Sequence, residues 1–85
     1  MGCYNLMGII IENRYKDAVK VQDLLTKYGC MIKVRLGLHE AGEVCSDEGF
    51  IVLQLCGSND EIQEFCDELN AINGVSAEFV TINRR

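Results

Sequence analysis

His39 and Cys45 are the two side chains in this chain best suited to a soft metal ion, an imidazole and a thiol in one short segment. Glu40, Glu43, Asp47 and Glu48 lie around them and would add carboxylate oxygens. One histidine and one nearby thiol are too few for a closed zinc-type site within one subunit, because ligand number and geometry define such a site. A site shared between subunits would need fewer ligands from each. The plainer reading is an exposed imidazole and a loop thiol, so His39 and Cys45 stand only as weak metal candidates. Lys33 and Arg35 are the second group with chemistry to offer, as cations that would hold a carboxylate or phosphate. They would equally serve as solvated charges that keep a sheet edge from pairing with another chain. The ligand or interface candidates are therefore Lys33, Arg35, Gly37, His39 and Gln54, and none is assigned a catalytic role.

The five cysteines form no CxxC. Cys66 and Cys56 read as small core residues, Cys3 as a frayed residue ahead of the first strand, and Cys30 as the follower of a helix stop. A nucleophilic cysteine needs a base and an oxyanion site, and no second constellation supplies them. Phosphate loops, dinucleotide fingerprints, paired carboxylates and RNA-stacking aromatic motifs are likewise missing from the sequence. The net charge of −5 speaks against direct nucleic-acid binding. Met1 to Asn5 lack a basic region, and the apolar run Leu6 to Ile11 is too short for a leader or a membrane span. A cytoplasmic protein with reduced thiols and no membrane contact is the expectation. No cofactor follows from these residues.

The elements that would position these residues are legible in the hydropathy pattern. Leu6 to Glu12 and Phe50 to Cys56 are nearly continuous apolar runs, the mark of strands covered on both faces and central in a sheet. Cys30 to Glu40 alternates, with Ile32, Val34, Leu36 and Leu38 on one face and Lys33, Arg35, Gly37 and His39 on the other. The apolar set is expected to be buried and the polar set to lie on the open face. Ala18, Val21, Leu24, Leu25 and Tyr28 recur at helical spacing between Asn13 and Gly29, with Asp17 among the solvated residues opposite. Ile62, Phe65, Cys66, Leu69 and Ile72 do so after a capping box at Ser58 and Glu61. Val75 to Ile82 is a last strand. The segment from Ala41 to Gly49 is an acidic hairpin loop.

The order β-α-β-β-α-β predicts an α+β, ferredoxin-like fold, a four-stranded antiparallel sheet with two helices on one face. One domain over residues 1–85 is expected, with 48% hydrophobic residues to fill a small core. Ile10 and Val52 would sit at the middle of the uncovered face, beside Gly8, Glu12 and Gln54. Such a face is expected to be covered by a second copy, face to face, or to lie beside a second-strand edge that pairs with its mate.

The stretches MGIIIENRY, IKVRLGLHE and GFIVLQLCGSNDEIQEFCDELNAINGVSAE resemble a family of small bacterial proteins named as regulators of the iron-only hydrogenase system. The most recognisable parts are Arg35-Leu36-Gly37-Leu38, Asn59-Asp60-Glu61-Ile62 and Asn73-Gly74-Val75. The resemblance implies an ACT-like fold, similar to the ligand domain of nickel-responsive repressors, in an oligomer (dimer or tetramer) from an anaerobic bacterium. It implies a regulatory module that senses a small molecule or metal, without its own DNA-binding domain. The alternative is a protein-interaction or maturation subunit with no small ligand, and the least favoured is a small cysteine enzyme. Nickel repressors use several histidines, so the single His39 speaks against carrying that site over.

Overall fold

The computed structural model describes residues 3–38 and 48–84. Its elements are β1 (Asn5–Ile11), α1 (Arg14–Lys27), a short 3-10 turn (Gly29–Met31), β2 (Ile32–Leu38), β3 (Gly49–Leu55), α2 (Asn59–Asn70) and β4 (Val75–Thr81). The strands form one antiparallel sheet in the order β2-β3-β1-β4. The two most apolar runs are its central strands, because only central strands can hide both faces. This is the expected ferredoxin-like topology. Met7, Ile9, Ile11, Ile51, Leu53 and Leu55 point from the two central strands toward the helices. Val21 and Leu25 of α1 and Ile62, Phe65 and Leu69 of α2 close over them. Tyr28 stacks on Phe65 at 4.5 Å between ring centroids, joining the end of α1 to the middle of α2.

The helix ends follow local chemistry. Ser58 accepts a hydrogen bond from the Glu61 N–H, and the Glu61 carboxylate accepts one from the Ser58 N–H, as the capping box predicts. Gly29 does not stop α1 with a left-handed residue but enters the 3-10 turn, and Cys30 belongs to that turn rather than to β2. Gly74 is the position where glycine is needed, at φ +84° between α2 and β4. A Cβ there would also sit 3.0 Å from Asp17 Oδ2. That space explains a second departure: Asp17, expected on the solvated face of α1, is buried.

The largest correction concerns β2. Ile32 pairs with Leu55, but the next pairs are Val34 with Gln54, Arg35 with Leu53, Leu36 with Val52 and Gly37 with Ile51. A bulge at Lys33 inserts one extra residue, and the side-chain period of two then reverses. Ile32 stays against the core. Val34 and Leu36 swing to the open face, 54% and 52% exposed, while Arg35 and Gly37 move to the helix side. The expected inward set and outward set are thus exchanged beyond the bulge.

Candidate functional site

The open face is built from alternate residues of all four strands. Leu6, Gly8 and Ile10 come from β1, Phe50, Val52 and Gln54 from β3, Val34 and Leu36 from β2, and Ser76, Glu78 and Val80 from β4. Leu6, Ile10, Val34, Leu36, Phe50 and Val80 are all exposed, and Val52 is half-buried among them. Gly8 has a local role here: a Cβ at that position would stand 3.4 Å from Phe50 Cε1, so the Phe50 ring settles across the gap a side chain would fill. A shallow groove of about 840 Å³ runs between Leu6, Ile10, Phe50 and Val80. It is an apolar surface with little polar chemistry, suited to burying another apolar surface.

The two sheet edges differ from this face. Asn70 of α2 accepts the Ala77 N–H at 2.8 Å through Oδ1 and donates to the Ala77 carbonyl at 2.9 Å through Nδ2. The buried Cys66 thiol donates to the same carbonyl at 3.3 Å. A side-chain amide thus stands where a neighbouring strand would bond, which blocks the middle of the β4 edge. Burial, with Asp67 nearby, pushes the Cys66 thiol up from its ordinary pKa, as befits a structural cysteine. The β2 edge carries the bulge and two exposed cations, Lys33 and Arg35.

The sequence candidates are therefore not gathered on one face. Gln54 lies on the open face, where its Nε2 donates to the Cys3 carbonyl at 2.8 Å. Lys33 sits at the bulge, and Arg35 and Gly37 lie on the helix side of the edge strand. His39 and Cys45 fall outside the described residues. Among the described residues no three His, Cys, Asp or Glu side chains come close enough together to hold a metal ion.

Cys3 and Cys56 are joined in a disulfide, with Cα atoms 5.0 Å apart. This corrects the expectation of a frayed Cys3, of a Cys56 that only fills the core, and of wholly reduced thiols. Asn5 opposite Leu55 is the last β1–β3 pair, and just beyond it the two chain segments lie close enough for Cys3 to reach Cys56. Sequence reasoning also missed Val34 and Leu36 as face residues and Asn70 as the edge cap. Nothing in the sequence marked the last, because Asn70 ends an amphipathic helix among other polar residues.

No helix among the described residues is long and apolar enough to cross a membrane. No curated protein matches the chain significantly. Among solved structures, the chain is similar to the uncharacterized protein TM1266 from Thermotoga maritima, at 28% identity and a TM-score of 0.81, over 93% of this chain and 95% of that one. It also resembles the ACT domain of GTP pyrophosphokinase from Chlorobium tepidum, at 14% identity and a TM-score of 0.68, over 95% and 89% of the two chains. A third is 5-chloro-2-hydroxyhydroquinone dehydrochlorinase from Burkholderia phenoliruptrix, at 15% identity and a TM-score of 0.58, over 94% and 95%. The last two share the fold alone, and one is an enzyme, so the fold does not decide the activity. The family model described as "Iron-only hydrogenase system regulator, putative" matches residues 4–78, and the chain belongs to this TM1266-like family.

Proposed function

We propose that the chain is a non-enzymatic, cytoplasmic regulatory module of the iron-only hydrogenase system. It forms a homo-oligomer through the open face of its sheet and responds to a small-molecule or metal effector at the subunit interface. The observation that carries this reading is the apolar face left bare by the helices. Six exposed apolar side chains with Val52 among them lie together on one sheet face, a contiguous apolar surface of the kind that another chain covers. The Asn70 cap and the Lys33 bulge make the edges poor places to pair, which favours face-to-face packing over a continuous sheet. The family description supports the regulatory role. The effector would act by binding one assembly state more tightly than the other. Of the candidate contacts Lys33, Arg35, Gly37, His39 and Gln54, Gln54 is the one on this face, and His39 and Cys45 stand only as weak metal candidates.

Sedimentation of the wild type and of Ile10→Lys tests the assembly. The expected result is an oligomer at micromolar concentration for the first and a folded monomer for the second. A wild type that stays monomeric there rejects it. An anaerobic thermal-shift series with divalent metals and amino acids tests the effector, since a ligand of the folded state raises the melting temperature. A flat response across the series favours the interaction or maturation subunit instead.

A further inference from the structure

We propose that Cys3 and Cys56 form a reversible dithiol–disulfide site whose reaction partner is a low-molecular-weight disulfide. Their Cα separation of 5.0 Å is that of cysteines that can bond without backbone movement. Both residues are half-buried, so a small reagent can reach them.

Contacts other than the bond itself hold each residue in place. The Cys56 N–H donates to the Met31 carbonyl at 2.8 Å, extending the end of β3 toward the 3-10 turn. The Cys3 carbonyl accepts Gln54 Nε2 at 2.8 Å. The next residue, Tyr4, is fixed through its carbonyl, which accepts the Ile82 N–H at 2.9 Å. The two sulfurs therefore stay neighbours when the bond is open, and closing it is an intramolecular step within a folded frame. The other described cysteines lack this arrangement: Cys66 is buried, and Cys30 is exposed and free.

The chemistry balances as two exchanges. One thiolate attacks a sulfur of the small disulfide, forming a mixed disulfide and expelling one small thiolate. The second cysteine, after losing its proton to water, attacks the protein sulfur of that mixed disulfide and expels the other small thiolate. Two electrons pass from the cysteine pair to the reagent, which leaves as two thiols. The reverse sequence reopens the site.

The full-length chain is reduced, then equilibrated without oxygen in buffers of graded small thiol to small disulfide ratio. Free thiols are trapped by alkylation, and the products are weighed and mapped. The expected result is a single two-thiol transition that links Cys3 to Cys56, reverses on returning to reducing buffer, and persists in Cys30→Ser and Cys66→Ser. It disappears in Cys3→Ser and Cys56→Ser. The proposal is overturned if both residues stay alkylatable in the most oxidising buffer, if the bond survives the most reducing one, or if either cysteine pairs elsewhere. The readout is independent of oligomeric state, so its failure leaves the assembly reading untouched.

Discussion

Leu36→Ala separates the bulged register from simple alternation. If β2 alternated without interruption from Ile32, Leu36 would share the buried layer with Leu53. Truncating it would then cost the 2–5 kcal/mol typical of a buried leucine, cavity included, on the order given for core sites. The structure instead places Leu36 opposite Val52 on the open face, 52% exposed, while Leu53 is 0% exposed. Full burial of a leucine contributes about 1.5–3 kcal/mol, so a half-exposed one loses about 1 kcal/mol on truncation. Leu53→Ala serves as the internal control and is expected to cost about 2–5 kcal/mol. Urea unfolding of the wild type and both variants gives the difference, measured at two protein concentrations. Loss of assembly changes stability with concentration, whereas loss of core packing does not. The expected pattern is a small dilute-limit effect for Leu36→Ala that grows with concentration, and a large constant effect for Leu53→Ala. Equal costs for the two variants in the dilute limit would refute the bulge at Lys33 and restore Leu36 to the core.

Gly74→Ala is expected to destabilise by about 1–2 kcal/mol, the cost of a left-handed alanine, with a further loss as its Cβ presses on Asp17; an unchanged thermal midpoint would contradict the φ of +84°. Asn70→Ala removes the hydrogen bond to the Ala77 N–H, which water can then reach at the sheet edge, and is expected to cost about 0.5–1.5 kcal/mol. It also opens the β4 edge, so the variant should aggregate faster on mild heating; unchanged light scattering would argue against the edge-cap role. The Glu68 cluster predicts a pH dependence. Hydrogen bonds from Lys27, at 2.9 Å, and from Tyr28 hold the Glu68 carboxyl below its ordinary pKa. Its contribution is thus present above the unfolded carboxylate pKa and lost as pH falls through the lowered folded value. The hydrogen bond to Glu68 pushes the Tyr28 phenol from 10.0 up to about 12 and the Lys27 ammonium above 10.5, so their contribution is full below those ordinary values and lost as pH rises through the raised ones. Glu68→Gln should narrow both pH responses of the unfolding midpoint, and a constant offset from wild type at every pH would contradict the coupling.

The amino-acid sequence by itself determined the element order, the two central strands, the packed face of α2 and, apart from the buried Asp17, that of α1. These rest on local periodicity. Met7, Ile9 and Ile11 alternate with Leu6, Gly8 and Ile10, and Ile62, Phe65, Cys66 and Leu69 recur once per helical turn, whatever lies across from them. The capping box at Ser58 was legible for the same reason, since its partners are three residues apart. What tertiary structure alone decided is where distant segments meet. The bulge at Lys33 depends on how β2 fits against β3, and Val34 and Leu36 alternate with charges in either register, so the pattern carried no sign of the reversal. The pairing of Cys3 with Cys56 joins residues 53 apart in the chain through the register of β1 and β3. Asn70 caps an edge that exists only once β4 has folded back beside β1. The site accordingly shifted from a basic strand to an apolar sheet face, because a one-residue slip in register exchanges the two faces of a strand without altering any local preference.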